Sequence, residues 1–257
     1  MKKIALIGFG RFGRLITKFI YKDFEVFIFD NKLTKKKLEL WKKKNINEKS
    51  NIEILNEKDI SKISIVLLCV PISSVKEVTK KINKYLNDET LVIDFCSVKV
   101  YPLKILKRYL KKSIYILGTH PLFGPDSVSN NLTGKKIVLC PERIPETLFN
   151  KVRKYLSKFK LRIIVSSAKN HDKRTAYTLC LTQFIGRGLE KFHMKEEEFD
   201  TLTFNELLHI KNVVLNDTNQ LFYDMQIYNP YAKKMRKKLL KDFFEVEKKL
   251  LSKSGTF

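Results

Sequence analysis

Acidic residues are scarce in this chain: 27 Asp and Glu stand against 51 Lys and Arg over 257 residues, for a formal net charge of +24. Such a balance admits nucleic acid, an acidic membrane face or an anionic small molecule as a partner. The lysines are spread along most of the chain, between apolar residues at helical spacing, as on solvated faces. No helix-turn-helix or aromatic-rich recognition element accompanies them, so nucleic acid is not expected. Long apolar runs are also missing; none reaches the length that spans a bilayer, and no membrane partner is expected. The opening Met1-Lys2-Lys3-Ile4-Ala5-Leu6-Ile7 resembles a secretory leader only until Arg11 and Arg14 cut its apolar stretch short. Cysteine is sparse. Cys69, Cys96, Cys140 and Cys180 form no C-x-x-C pair, which excludes a zinc knuckle or a dithiol redox pair, and no metal is expected. Cys69, Cys140 and Cys180 sit among apolar residues as small core side chains, and reduced thiols fit the cytoplasm.

Glycine is also infrequent, nine in all, yet three lie within Gly8-Phe9-Gly10-Arg11-Phe12-Gly13. This is a G-x-G-x-x-G pattern between an apolar segment at 3–8 and a helical one at 11–22. That context is what dinucleotide binding requires. Gly8 permits a tight turn, Gly10 lets the backbone approach a pyrophosphate, and Gly13 lets helix and strand pack closely. The helix amino end then offers N–H groups to phosphate. Asp30 closes a second strand at 25–30, placed to accept hydrogen bonds from the adenosine ribose. Its carboxylate favours NAD over the 2′-phosphate of NADP, although Lys32 and Lys35 leave NADP open. The run from Ile63 ends at Cys69-Val70-Pro71, a strand end on the cofactor side of such a fold.

The segments that follow alternate. Strands are expected at 63–70, 90–94, 113–118, 135–140 and 161–167; helices are expected at 33–44, from Ser73, at 100–110 and at 145–158. The stretch 51–60 reads either way. Near-continuous apolar strands interleaved with helices predict an α/β fold, a Rossmann-type doubly wound parallel sheet. After residue 167 strand signals stop. Amphipathic stretches at 171–192, 196–215, 217–228 and 232–251 predict an all-helical second domain, so the expected division is 1–167 and 168–257. Apolar stripes there, including Leu179, Phe184, Leu189 and Phe192, exceed what such a unit hides by itself, and a homodimer is expected.

The most informative segment is Gly118-Thr119-His120-Pro121-Leu122-Phe123-Gly124-Pro125-Asp126-Ser127. It follows the apolar Ile114-Tyr115-Ile116-Leu117, so a histidine stands where a strand ends, in a loop shaped by two prolines and two glycines. Ligands of open α/β sheets bind at that edge. An imidazole facing a nicotinamide is a general base for a dehydrogenase.

Three elements carry a family resemblance. Asp94-Phe95-Cys96-Ser97-Val98-Lys99 contains the Ser-Val-Lys element of prephenate and arogenate dehydrogenases. His120-Pro121-Leu122-Phe123-Gly124-Pro125 is similar to their His-Pro-Met-Phe-Gly-Pro element, and Asn170-His171-Asp172-Lys173 is similar to their Glu-His-Asp element. The stretches around Gly186–Lys191 and Gln220–Asp224 look most like plant-type arogenate enzymes. The resemblance implies a Rossmann domain plus a helical dimerisation domain, with no mutase or regulatory domain in this chain. It also implies oxidative decarboxylation of a cyclohexadienol small-molecule substrate in tyrosine biosynthesis. By this resemblance His120 takes the ring-hydroxyl proton, Ser97 hydrogen-bonds near it, and Lys99 makes an electrostatic contact to substrate or loop. His171 lies near substrate, with Asp172 orienting it or capping a helix. Where the family often shows another histidine this chain has Gln183. For the substrate carboxylate, Arg187, Arg174 and Lys211 are candidates by charge. Asp126 is a candidate for the ammonium end of arogenate. A second reading is another NAD(P)-dependent hydroxyacid or imine reductase of the same plan.

Overall fold

The computed structural model describes residues 2–46, 50–128 and 131–254. Its first half runs β1 (Lys2–Ile7), α1 (Arg11–Ile20), β2 (Phe24–Phe29), α2 (Lys35–Asn45), β3 (Ile52–Ile54), β4 (Ile65–Leu68), α3 (Val75–Asn83), β5 (Leu91–Asp94), α4 (Val100–Tyr109), β6 (Tyr115–Pro121), β7 (Lys136–Arg143), α5 (Glu146–Ser157) and β8 (Arg162–Val165). The ambiguous stretch near residue 55 resolves into the short β3 and a 3-10 turn, Glu57–Lys62. One sheet holds all eight strands in the order β3-β2-β1-β4-β5-β6-β7-β8.

The strands from β3 to β6 are parallel, with Ile4 opposite Ile65 and Asp94 opposite Gly118. The central strands are buried on both faces, and Leu6, Val66, Val92 and Ile116 are wholly enclosed. Each such aliphatic side chain contributes about 1.5–3 kcal/mol. The sheet departs from the expected all-parallel plan at one place: β7 pairs antiparallel with β6, and β8 is parallel to β7. Among its described residues the connection from β6 to β7 holds the 3-10 turn Pro125–Ser127 and no crossover helix of the kind a parallel return needs.

The chain divides into two compact units, Met1–His171 and Asp172–Phe257. Helix α6 (Ala168–Thr175) passes through a π-helical turn, Ala176–Cys180, into α7 (Leu181–Lys191); α8 (Leu202–Leu215), α9 (Asn219–Tyr228) and α10 (Ala232–Ser254) follow. Thr201 and Thr218 cap α8 and α9, accepting from the N–H groups of Phe204 and Leu221 at 3.2 Å each. The four cysteines are free thiols, and no helix among the described residues is long and apolar enough to cross a membrane.

Candidate active site

Strand order reverses direction between β1 and β4, and the loops after β1, β4, β5 and β6 all leave the same carboxyl edge. That switch point is where open α/β sheets bind ligands. Gly8 adopts φ +96°, and a Cβ there would meet the Cys69 carbonyl oxygen at 2.5 Å and the Val70 side chain at 3.1 Å. A Cβ on Gly13 would lie 2.2 Å from the Gly8 carbonyl oxygen. Protein packing therefore dictates both glycines, and it places Val70 beside the loop. Gly10 differs: it stands at the N-cap of α1, and a Cβ there would meet nothing within 4 Å. No side chain caps this helix and no acidic residue occupies its first turn. Open space at a helix N-terminus that no side chain caps fits a pyrophosphate.

Asp30 follows β2 and shapes the same loop. Its Oδ2 accepts from the Phe9 N–H and its Oδ1 from the Lys32 N–H, both at 2.8 Å. A carboxylate has lone pairs left for ribose hydroxyls after two such bonds. Two of the glycine-loop side chains pack against neighbouring aromatic rings. Phe9 is buried edge-on against Trp41, with ring centroids 5.0 Å apart, and Phe12 packs on Phe95 at 5.7 Å. Arg11 pairs with Asp126 at 2.6 Å. That ion pair joins the glycine loop to the loop after His120. Substituting Gly13 with Ala is expected to lower the thermal midpoint markedly. Gly10→Ala is expected to leave it unchanged while weakening NAD about tenfold or more, equal to about 1.4 kcal/mol; differential scanning fluorimetry with and without NAD separates the two.

His120 is the penultimate residue of β6, since the strand runs on through Pro121 instead of ending at residue 118. Its Nδ1 lies 2.8 Å from Nε2 of His171, and both rings are buried. Nε2 of His120 makes no hydrogen bond among the described residues. Burial, then the neighbouring His171, then the Lys99 charge hold the His120 imidazolium well below its ordinary pKa of 6.5. His171 is the fourth residue of α6, one turn inside it. The capping acceptor is Ser167, whose Oγ takes the Asn170 N–H at 3.2 Å, so Asp172 does not cap this helix.

Lys99 corrects an expectation. Its side chain is fully enclosed and ion-paired with the equally buried Asp94 carboxylate. Its ammonium also donates to the Thr119 carbonyl at 2.6 Å. A group so enclosed has no contact left for substrate. Asp94 Oδ1 accepts from the Cys96 N–H at 3.0 Å, and Thr119 Oγ1 donates to the Asp94 carbonyl at 2.9 Å. The network thus fastens the Ser97 turn to the residue before His120. Sequence reasoning missed Asp94 and Thr119; the signal was an acid ending an apolar strand, five residues before a lysine. Ser97 Oγ is buried without a hydrogen-bond partner. A buried orphan hydroxyl fits a bound group that it would serve.

In the helical unit, Gln183 is buried and donates to Asp217 Oδ2 at 2.6 Å. Arg187 donates to the Asp217 carbonyl at 2.8 Å and lies over the Phe222 ring at 5.5 Å. Gln183 Oε1 and Arg187 Nε are buried with no hydrogen-bond partner. Lys211 is spent on the Met194 carbonyl.

A switch-point nucleotide cradle with a buried imidazole pair on the same unit defines a Rossmann-type dehydrogenase. Residues 36–165 match the prephenate dehydrogenase nucleotide-binding domain, and residues 188–256 match the TYRAAT1-like C-terminal domain. The chain belongs to the prephenate dehydrogenase family. It is 28% identical over 98% of its length to arogenate dehydrogenase 2, chloroplastic, of Arabidopsis thaliana, and covers 70% of that protein. It is 26% identical over 80% of its length to a probable arogenate/prephenate dehydrogenase of Methanocaldococcus jannaschii, of which it spans 48%. Its fold is similar to that of prephenate dehydrogenase from A. aeolicus, solved with hydroxyphenyl propionate and NAD+: TM-score 0.76 at 18% identity, covering 99% of this chain and 92% of that one.

Proposed function

We propose that this chain catalyses the NAD-dependent oxidative decarboxylation of arogenate or prephenate, with arogenate the better substrate, in tyrosine biosynthesis. The observation that carries the reading is His120, fixed through Nδ1 at the sheet's carboxyl edge with Nε2 uncommitted. When bound, NAD supplies the hydride acceptor. His120 Nε2 accepts the proton of the ring hydroxyl as the carbonyl develops. Ser97 Oγ donates to the same region, which its buried, unpartnered state supports. The Gly8–Gly13 loop and Asp30 bind the dinucleotide, with Val70 and Pro71 at its edge. Gln183 and Arg187 are carried as substrate-binding residues, supported by their orphaned buried atoms. The preference for arogenate is supported by the Arabidopsis relative's name and its cover of nearly the whole chain.

Assays of both compounds with NAD and NADP test this. Reduction of NAD fastest with arogenate supports it, and no reduction with any of the four combinations defeats it. Because the His120 imidazolium is disfavoured, kcat/KM is expected to stay flat as pH falls through 6.5 and to decline only in more acid solution. Stability follows the same sign. Below pH 6.5 the unfolded chain binds a proton that native His120 refuses, so the native state weakens as pH falls. A cytoplasmic homodimer is part of the reading, supported by free thiols and by Phe192, Phe199 and Leu202 exposed at 80%, 91% and 88%. Sedimentation at monomer mass would contradict the dimer.

A further inference from the structure

We propose that His171 is the second member of a two-imidazole proton relay, not a ligand of the substrate. The inference rests on the reading of His120 as the base and adds what becomes of its proton. Nδ1 of His120 and Nε2 of His171 are 2.8 Å apart, with the rings at 71°. One of the two nitrogens must donate and the other accept. If His120 is to accept through Nε2, its own proton sits on Nδ1, and His171 Nε2 is the acceptor. The pair therefore fixes the tautomer that leaves Nε2 of His120 basic.

The proton balance follows. The substrate hydroxyl proton forms an N–H bond at His120 Nε2. The Nδ1 proton crosses to His171 Nε2, so His120 ends neutral and His171 carries the charge. The two electrons of the broken C–H bond would leave as hydride to bound NAD. The electron pair of the broken ring–carboxylate bond enters the ring as carbon dioxide departs and comes to rest on the ring oxygen, to which the proton returns from His171 through His120. The relay answers a local electrostatic problem. The Lys99 ammonium is bonded to the carbonyl of Thr119, directly before His120, in a fully buried setting. A cation on His120 is opposed first by burial, then by the neighbouring His171 and by that charge. Transfer to His171 moves the positive charge one ring further along, onto a buried residue of α6.

The variant His171→Gln separates the possibilities, because a glutamine carbonyl accepts the Nδ1 hydrogen bond but takes up no proton. The expected result is kcat lowered roughly 100-fold or more, KM within about twofold, and NAD affinity by fluorescence titration unchanged. The rate in mixed H2O and D2O should bend for the wild type, as two protons in transit require, and become linear in the variant. A raised KM with kcat preserved would make His171 a substrate ligand and overturn the relay, as would a linear wild-type plot. Nitrogen-15 NMR of histidine-labelled wild type, with no substrate, gives a readout independent of turnover. A proton on His120 Nδ1 facing a bare His171 Nε2 supports the pair, and the reverse arrangement overturns it. Should wild type fail to turn over either compound while NMR shows the pair, the assigned reaction falls and the tautomer assignment stands.

Discussion

Replacing His120 with Asn is expected to lower kcat by roughly 10²–10⁴-fold, the range that a positioned general base supplies. The asparagine amide keeps a polar group of similar size but has no basic nitrogen. KM and NAD affinity are expected to change little, because the glycine loop and Asp30 are held by bonds of their own. Steady-state kinetics with either substrate, alongside NAD titration, checks this. Near-normal turnover in the variant would remove the imidazole from the chemistry and favour a different reductase of the same plan. A rate loss matched by a loss of folded protein would instead mean that the pair with His171 is structural, and circular dichroism distinguishes the cases.

The second large effect concerns stability. Lys99→Met is expected to destabilise the nucleotide-binding unit by about 3–5 kcal/mol, since it strands the Asp94 carboxylate without its counter-ion where no solvent reaches. Removing both charges together, as in Asp94→Leu with Lys99→Met, is expected to cost less than the single change, because buried pairs replaced by apolar groups are often neutral. The double variant also loses the bonds to Cys96 and Thr119, so its folded fraction should show reduced kcat. Urea unfolding of the three proteins gives the comparison. A single variant as stable as wild type would contradict the enclosure of Lys99.

The order of elements was legible because each signal was strong and local. The strand around Ile65–Leu68 is continuous aliphatic, and the glycine loop combines a positive-φ turn with a close helix–strand approach. The reversal of β7 was not legible. An apolar run reports burial without direction, and the information lay in the connection after Gly124, whose described residues hold no α-helix. The site divided along similar lines. His120 stood out because prolines and glycines bracket it. Lys99 did not, since one lysine among so many gives no sign of being enclosed; its partner Asp94 ends the preceding strand, and the second bond comes from the neighbouring strand. The partner of Asp126 was hidden for the same reason: Arg11 is 115 positions away. Likewise Phe9 and Phe12 belong to the cofactor motif by position, yet their rings serve the core.

Because β7 and β8 point the other way, the rim that carries Gly10, Ser97 and His120 ends with β6. Beyond His120 the next strand presents its starting end there, with Ile137 opposite Pro121. From β1 to β6 is three strand intervals, about 14 Å at the usual spacing. The reactive groups are thus bounded on one flank by a fixed span of backbone, and a ligand lengthened in that direction would meet the β6–β7 connection rather than the carboxyl end of another strand.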